Sequence, residues 1–184
     1  MKRILVALWL TAVAFCAACG RKEQAGPASS GQAAPPAAPG GAASAAATSG
    51  LVRDSMEVDG QTVDIEHSPF DIGRVQDIFD NDKESLARTV NANPAVVMLH
   101  FSKPRSLKRV EVTTATMNVG VKCIATLEGG GEKTFSGEYK NLSPDPTVSL
   151  ELPGLSRPVS RLRIEIGNLD GGDGHIHIRA IRFS

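Results

Sequence analysis

Several things are scarce in this chain of 184 residues, and each scarcity excludes something. Cysteine occurs three times, twice near the start (Cys16 and Cys19) and once far away (Cys123), so there is no disulfide framework within the folded region. Charge of either sign is not in excess, with 20 Lys and Arg against 20 Asp and Glu. A basic surface that neutralises nucleic acid phosphates is therefore not expected. The only long apolar run, Ile4 to Phe15, is broken by Thr11 and is too short to span a bilayer comfortably. No long amphipathic helix and no internal repeat is visible. The chain also lacks a hydrolase elbow, a phosphate-gripping glycine loop and an HExxH pair. Nothing positions a nucleophile or a base, and the expectation is a protein that is not an enzyme.

What is present begins with an export signal. Lys2 and Arg3 supply a positive start, Ile4 to Phe15 the apolar core, and Ala17 and Ala18 the small residues directly before Cys19. Gly20 follows. The arrangement resembles a bacterial lipobox, in which the cysteine is diacylated and becomes the mature N-terminus, although Cys16 stands where that motif usually has Leu. An ordinary secretory signal cut near the same alanines is the other reading. Both take the protein out of the cytoplasm. The first implies attachment to a membrane through Cys19, in a bacterial cell envelope. Gly20 rather than Asp resembles the sorting context of an outer-membrane lipoprotein, in a cell that has such a membrane.

Three segments follow from composition: residues 1–18 as the signal peptide, 19–50 as the lipidated cysteine and a tether, and 51–184 as the folded domain. Between Gly20 and Gly50 lie eleven Ala, six Gly, four Pro and four Ser, with no apolar side chain larger than Ala. Such a segment cannot bury enough surface to offset its ordering entropy. As a flexible coil it spans roughly 30 Å on average and about 100 Å when stretched. From Leu51 onward there are sixteen basic and nineteen acidic side chains, enough chain for one core of ordinary size. Cys123 falls on an alternating apolar set with Val119, Val121, Ala125 and Leu127, and is read as a buried small hydrophobe.

Period-two alternation dominates after Asn93. Val97, Leu99 and Phe101 point one way while Met98 and His100 point the other. Val110–Val112, Val119–Leu127, Phe135–Tyr139, Val148–Leu152, Leu162–Ile166 and Ile176–Phe183 continue the pattern, with a change of phase near Ala180 that suggests a bulge. Met56, Val58, Val63 and Ile65 flank Asp59-Gly60, a hairpin turn signal. Arg74 to Phe79 reads as one short helical turn. The predicted fold class is all-β, an antiparallel β-sandwich or barrel.

The order of these elements is similar to that of the galactose-binding-like jelly rolls, which include the discoidin (coagulation factor type C) domains and many bacterial carbohydrate-binding modules. The resemblance rests on three pieces in sequence. The first is the loop Asp77-Ile78-Phe79-Asp80-Asn81-Asp82 with Ser85 and Thr89. The second is the strand Val96–Phe101 followed by Pro104, Leu107 and Val110. The third is the ending Ile176-His177-Ile178-Arg179-Ala180-Ile181-Arg182-Phe183. It covers about Val75 to Ser184 and implies an eight-stranded sandwich whose loops bind sugars, lipid head groups or proteins. Many such domains hold calcium with the acidic loop plus a Glu in the last strand. Asp80 and Asp82 match the loop acids, whereas Ala180 stands at the Glu position, which weakens a site that needs six to eight oxygens. A capped turn before Ser85 explains the same two acids without an ion. Sugar modules usually stack a sugar ring on an exposed aromatic. The only Trp, Trp9, lies in the signal, and most Phe residues fall on buried phases.

Two further sets of residues are candidates for binding. His175 and His177 share one strand face next to a loop carrying Asp170 and Asp173, a set able to supply three metal ligands; a solvated strand face explains them equally. Arg161, Arg163, Arg179 and the two histidines form one mildly basic outward strip if the last two strands pair as a hairpin, suited to anionic glycans or lipid head groups. The function expected is a surface-tethered module, without catalysis, for carbohydrate or another envelope component. A structural lipoprotein binding a protein partner is the alternative.

Overall fold

The computed structural model describes residues 50–172 and 174–184. Signal, Cys19, tether and Asp173 lie outside them. The chain forms β1 (Val52–Val58), β2 (Gln61–His67), β3 (Phe70–Ile72), a 3-10 turn (Val75–Ile78), β4 (Ala87–Thr89), β5 (Ala95–Arg105), β6 (Arg109–Thr114), β7 (Val119–Leu127), β8 (Glu132–Tyr139), β9 (Thr147–Glu151), β10 (Val159–Asn168) and β11 (His177–Phe183). A six-stranded sheet runs β1-β2-β5-β10-β7-β8, and a five-stranded sheet runs β3-β4-β11-β6-β9. Every pairing between these strands is antiparallel. The fold is the two-sheet sandwich of a jelly roll.

Alternation explains the core. On β7, Val119, Val121, Cys123, Ala125 and Leu127 are buried and the residues between them are not. On β10, Leu162, Ile164 and Ile166 are fully buried, each contributing roughly 1.5–3 kcal/mol of apolar burial. From the other sheet Val110, Val112, Val148, Leu150, Ile178 and Phe183 meet them in one cluster. Cys123 belongs to that cluster, and burial pushes its thiol up to about 12. Tyr139 closes one side of the sandwich: its hydroxyl donates to the Ser149 carbonyl at 2.6 Å, linking edge strand β8 to edge strand β9.

The turns form where the residues permit them. Asp59 and Gly60 both take positive φ, 51° and 75°, the pair of left-handed residues that a two-residue hairpin turn needs. Gly129, Gly130 and Gly131 take φ of 75°, 96° and 92° between β7 and β8. Their loop is held by Arg157, which donates to the carbonyls of Glu128 and Gly130. In β11 the register slips between Ile178 and Ala180, the bulge suggested by the change of phase.

The last two strands do not pair as a hairpin. β10 sits between β5 and β7 in one sheet, and β11 between β4 and β6 in the other. Residues 169–176 are a crossover from sheet to sheet. Arg161 and Arg163 therefore project from the outer face of one sheet and Arg179 from the outer face of the other, so these three arginines do not form one strip.

Candidate ligand-binding end

One end of the sandwich gathers the ends of β2, β4, β6, β8 and β10 and the starts of β5, β7, β9 and β11. Its loops are stitched by asparagine. Asn93 accepts from the Asn168 N–H at 3.1 Å and donates to the Asn168 carbonyl. Asn118 accepts from the Asn141 N–H at 2.6 Å and donates to the Asp170 carboxylate at 2.9 Å. Backbone bonds from Leu169 to Asn118, from Leu142 to Met117 and from Val90 to Pro69 complete the ties. Amide side chains suit this work because each carries both donor and acceptor. The same end bears four of the exposed large apolar side chains, Val52, Val90, Met117 and Leu169.

Beside these loops, where β1 meets β3, lies a cleft of about 290 Å³ lined by Asp54, His67, Pro69, Phe70, Arg74 and Gln76 among others. His67 is buried and organises it. Its ring stacks on Phe70 with centroids 4.7 Å apart and planes 13° from parallel. Its nitrogens lie 2.8 Å from the Ser68 carbonyl and 2.9 Å from the Asp54 carboxylate. Gly73 allows the tight bend after β3, with φ of 71°. A larger groove of about 520 Å³ crosses the outer face of β1, β2 and β5, lined by Arg53, Asp54, Asp64, Glu66 and His100. Asp54 borders both depressions. On the opposite flank of β3, Arg88 grips Asp71 with two bonds of 2.9 and 2.5 Å. That guanidinium holds the Asp71 carboxyl below its ordinary value.

The residues singled out from sequence are dispersed rather than gathered. Arg161 pairs with Glu132 at 3.1 Å, and Arg163 with Glu165 at 2.8 Å, both on the outer face of the six-stranded sheet. His175 places Nδ1 2.7 Å from the Thr89 carbonyl. His177 stands opposite Arg88 in register. Asp170 is turned toward Asn118, and among the described residues no group of three or more His, Cys, Asp or Glu side chains is placed to hold a metal ion. Arg179 reaches Asp145 at 2.9 Å and the Lys83 carbonyl at 3.2 Å.

Asp80 and Asp82 lie in the loop after the 3-10 turn, and both are engaged by it. Asp80 accepts from the Asp82 N–H at 2.8 Å and from the Ser85 hydroxyl at 2.7 Å, and Asp82 accepts from the Glu84 N–H at 2.9 Å. These are the bonds of the capped turn.

Phe70, Arg74 and His67 were missed by sequence reasoning. Phe70 had a signal, since it follows Pro69 outside every alternating run, but its stacking partner lies across a turn that no periodicity reveals.

No family model matches the sequence, and no curated protein matches it. Solved structures do match in fold. The CBM32 of AlyQ, solved in complex with 4,5-unsaturated mannuronic acid, aligns with a TM-score of 0.53 at 10% identity, covering 71% of this chain and 98% of that one. A second, CpGH89CBM32-6 produced by Clostridium perfringens, aligns at 0.51 with 12% identity, covering 66% of this chain and 92% of that one. The chain has the jelly-roll fold of these modules.

Proposed function

We propose that the domain is a recognition module without catalytic function that binds carbohydrate, carried on an exported chain anchored through Cys19 in the cell envelope, in the outer membrane where one exists. The observation that carries this reading is the cleft beside Phe70. An aromatic ring braced by His67 stands among a guanidinium, a carboxylate and an amide, which is the mixture of apolar face and polar groups that a sugar presents in return. The fold shared with modules such as the mannuronic acid complex supports it. The test is a glycan array followed by calorimetry on the strongest hit. Phe70→Ala and Arg74→Ala are each expected to weaken binding at least about tenfold, the scale of one lost charged or ring contact. Retention of full affinity in both variants would remove the cleft from consideration.

The four exposed apolar side chains at the loop end favour a second reading, a protein partner docked on that end. In that case Met117→Ser with Leu169→Ser abolishes capture of the partner from envelope fractions, while Phe70→Ala leaves it intact.

A further inference from the structure

The calcium implied by the family resemblance meets a set of donors already in use. The loop carbonyls of Asn81 and Lys83 accept from arginines of β11: Arg182 bonds the Asn81 side-chain oxygen at 2.9 Å and its carbonyl at 3.2 Å, and Arg179 bonds the Lys83 carbonyl at 3.2 Å. Both oxygens of Asp80 and one of Asp82 are bonded within the turn. The remaining family ligand is Ala180, a buried side chain with no oxygen. Calcium takes six to eight oxygens and loses affinity beside fixed positive charge.

The bulge in β11 produces this arrangement. Arg179 and Arg182 are three residues apart, so in a regular strand they face opposite sides. The register slip between Ile178 and Ala180 buries Ala180 and Ile181 in succession and returns Arg182 to the outer face with Arg179. Arg182 then forks onto Asn81, which itself takes a φ of 64°. Arg179 ties the same loop to Asp145 on another. Planar guanidinium groups suit the task, since they present several donors in fixed geometry and keep their charge at any physiological pH.

We propose that these two guanidinium groups occupy the structural role of the ion, so that the loop 80–85 is held by Arg179 and Arg182 and the protein folds and keeps its stability independently of calcium. The experiment has two arms, both on the full chain. In the first, thermal unfolding of the wild type is followed in millimolar calcium chloride and in excess chelator. The expected midpoints agree to within about a degree, since an ion that does not bind the native state cannot shift it. In the second, cleavage after Lys83 by a lysine-specific protease is timed in wild type and in Arg179→Met with Arg182→Met. Loss of the charge-assisted bonds is expected to speed cleavage about tenfold. A calcium-dependent rise of the wild-type midpoint, or an unchanged cleavage rate in the folded double variant, would overturn the proposal. The calcium arm needs no variant, so it decides even where the double substitution prevents folding.

Discussion

At Gly73 the backbone stands at φ 71°, and a Cβ placed there lies 2.0 Å from the Leu86 carbonyl oxygen. The obstacle is main chain, so it cannot swing aside as a flexible side chain does. Gly73→Ala is expected to cost about 3 kcal/mol from left-handed strain and overpacking together, measured by urea unfolding. Cys123 gives a chemical counterpart. Its buried thiol, pushed up to about 12, should resist alkylation in the native protein at neutral pH and react fully once denaturant is added. Asp71 gives a pH dependence. Its folded value is lowered by Arg88, so its contribution is present above the unfolded carboxylate value and is lost as pH falls through the lower, folded one. Asp71→Asn should therefore be less stable than wild type at pH 7, and the difference should shrink as pH drops below the ordinary 3.8. Of these three residues only Cys123 was legible in the sequence, because a strict alternation announced its burial. Gly73 and Asp71 depend on Leu86 and Arg88, neighbours that only the folded chain supplies.

The three-residue strands β3 and β4 were not legible, but the longer strands were, since their apolar sets alternate with a period of two. So were the Asp59-Gly60 turn, the 3-10 turn and the bulge near Ala180. Their partners were not. Residues 169–176 are as suitable for a hairpin as for a crossover, and nothing in the alternation of β10 or β11 says which sheet either joins. That one ambiguity split the supposed basic strip and sent Arg179 to the acidic loop instead. The same limit hid the cleft, whose walls come from β1, the β2–β3 turn and the residues after β3. A test at this scale concerns the β1–β2 turn. No heavy atom lies within 4 Å of a Cβ built on Gly60, so Gly60→Ala isolates backbone strain. It is expected to destabilise by about 1–2 kcal/mol, again measured by urea unfolding, with the melting curve remaining cooperative.

For the whole chain, the composition of residues 20–50 offers no core of its own. Deleting residues 21–49 is expected to leave the unfolding midpoint unchanged, which calorimetry would show. Metabolic fatty-acid labelling checks the proposed anchor: the wild type should take up label and Cys19→Ala should not. The order of the strands bears on a different matter, the timing of folding. β10 and β11 follow every other strand of the domain in the chain, yet β10 lies inside one sheet and β11 is the middle strand of the other. Neither sheet can close until the C-terminal segment is available, and the pairings that close them join distant parts of the chain, which folds slowly by nature. A chain stopped after Arg157 should show no cooperative unfolding by circular dichroism. For the exported chain proposed above, threading through a channel from its N-terminus, this delay would be useful: the polypeptide would stay pliable through most of its passage and acquire its shape only on the far side.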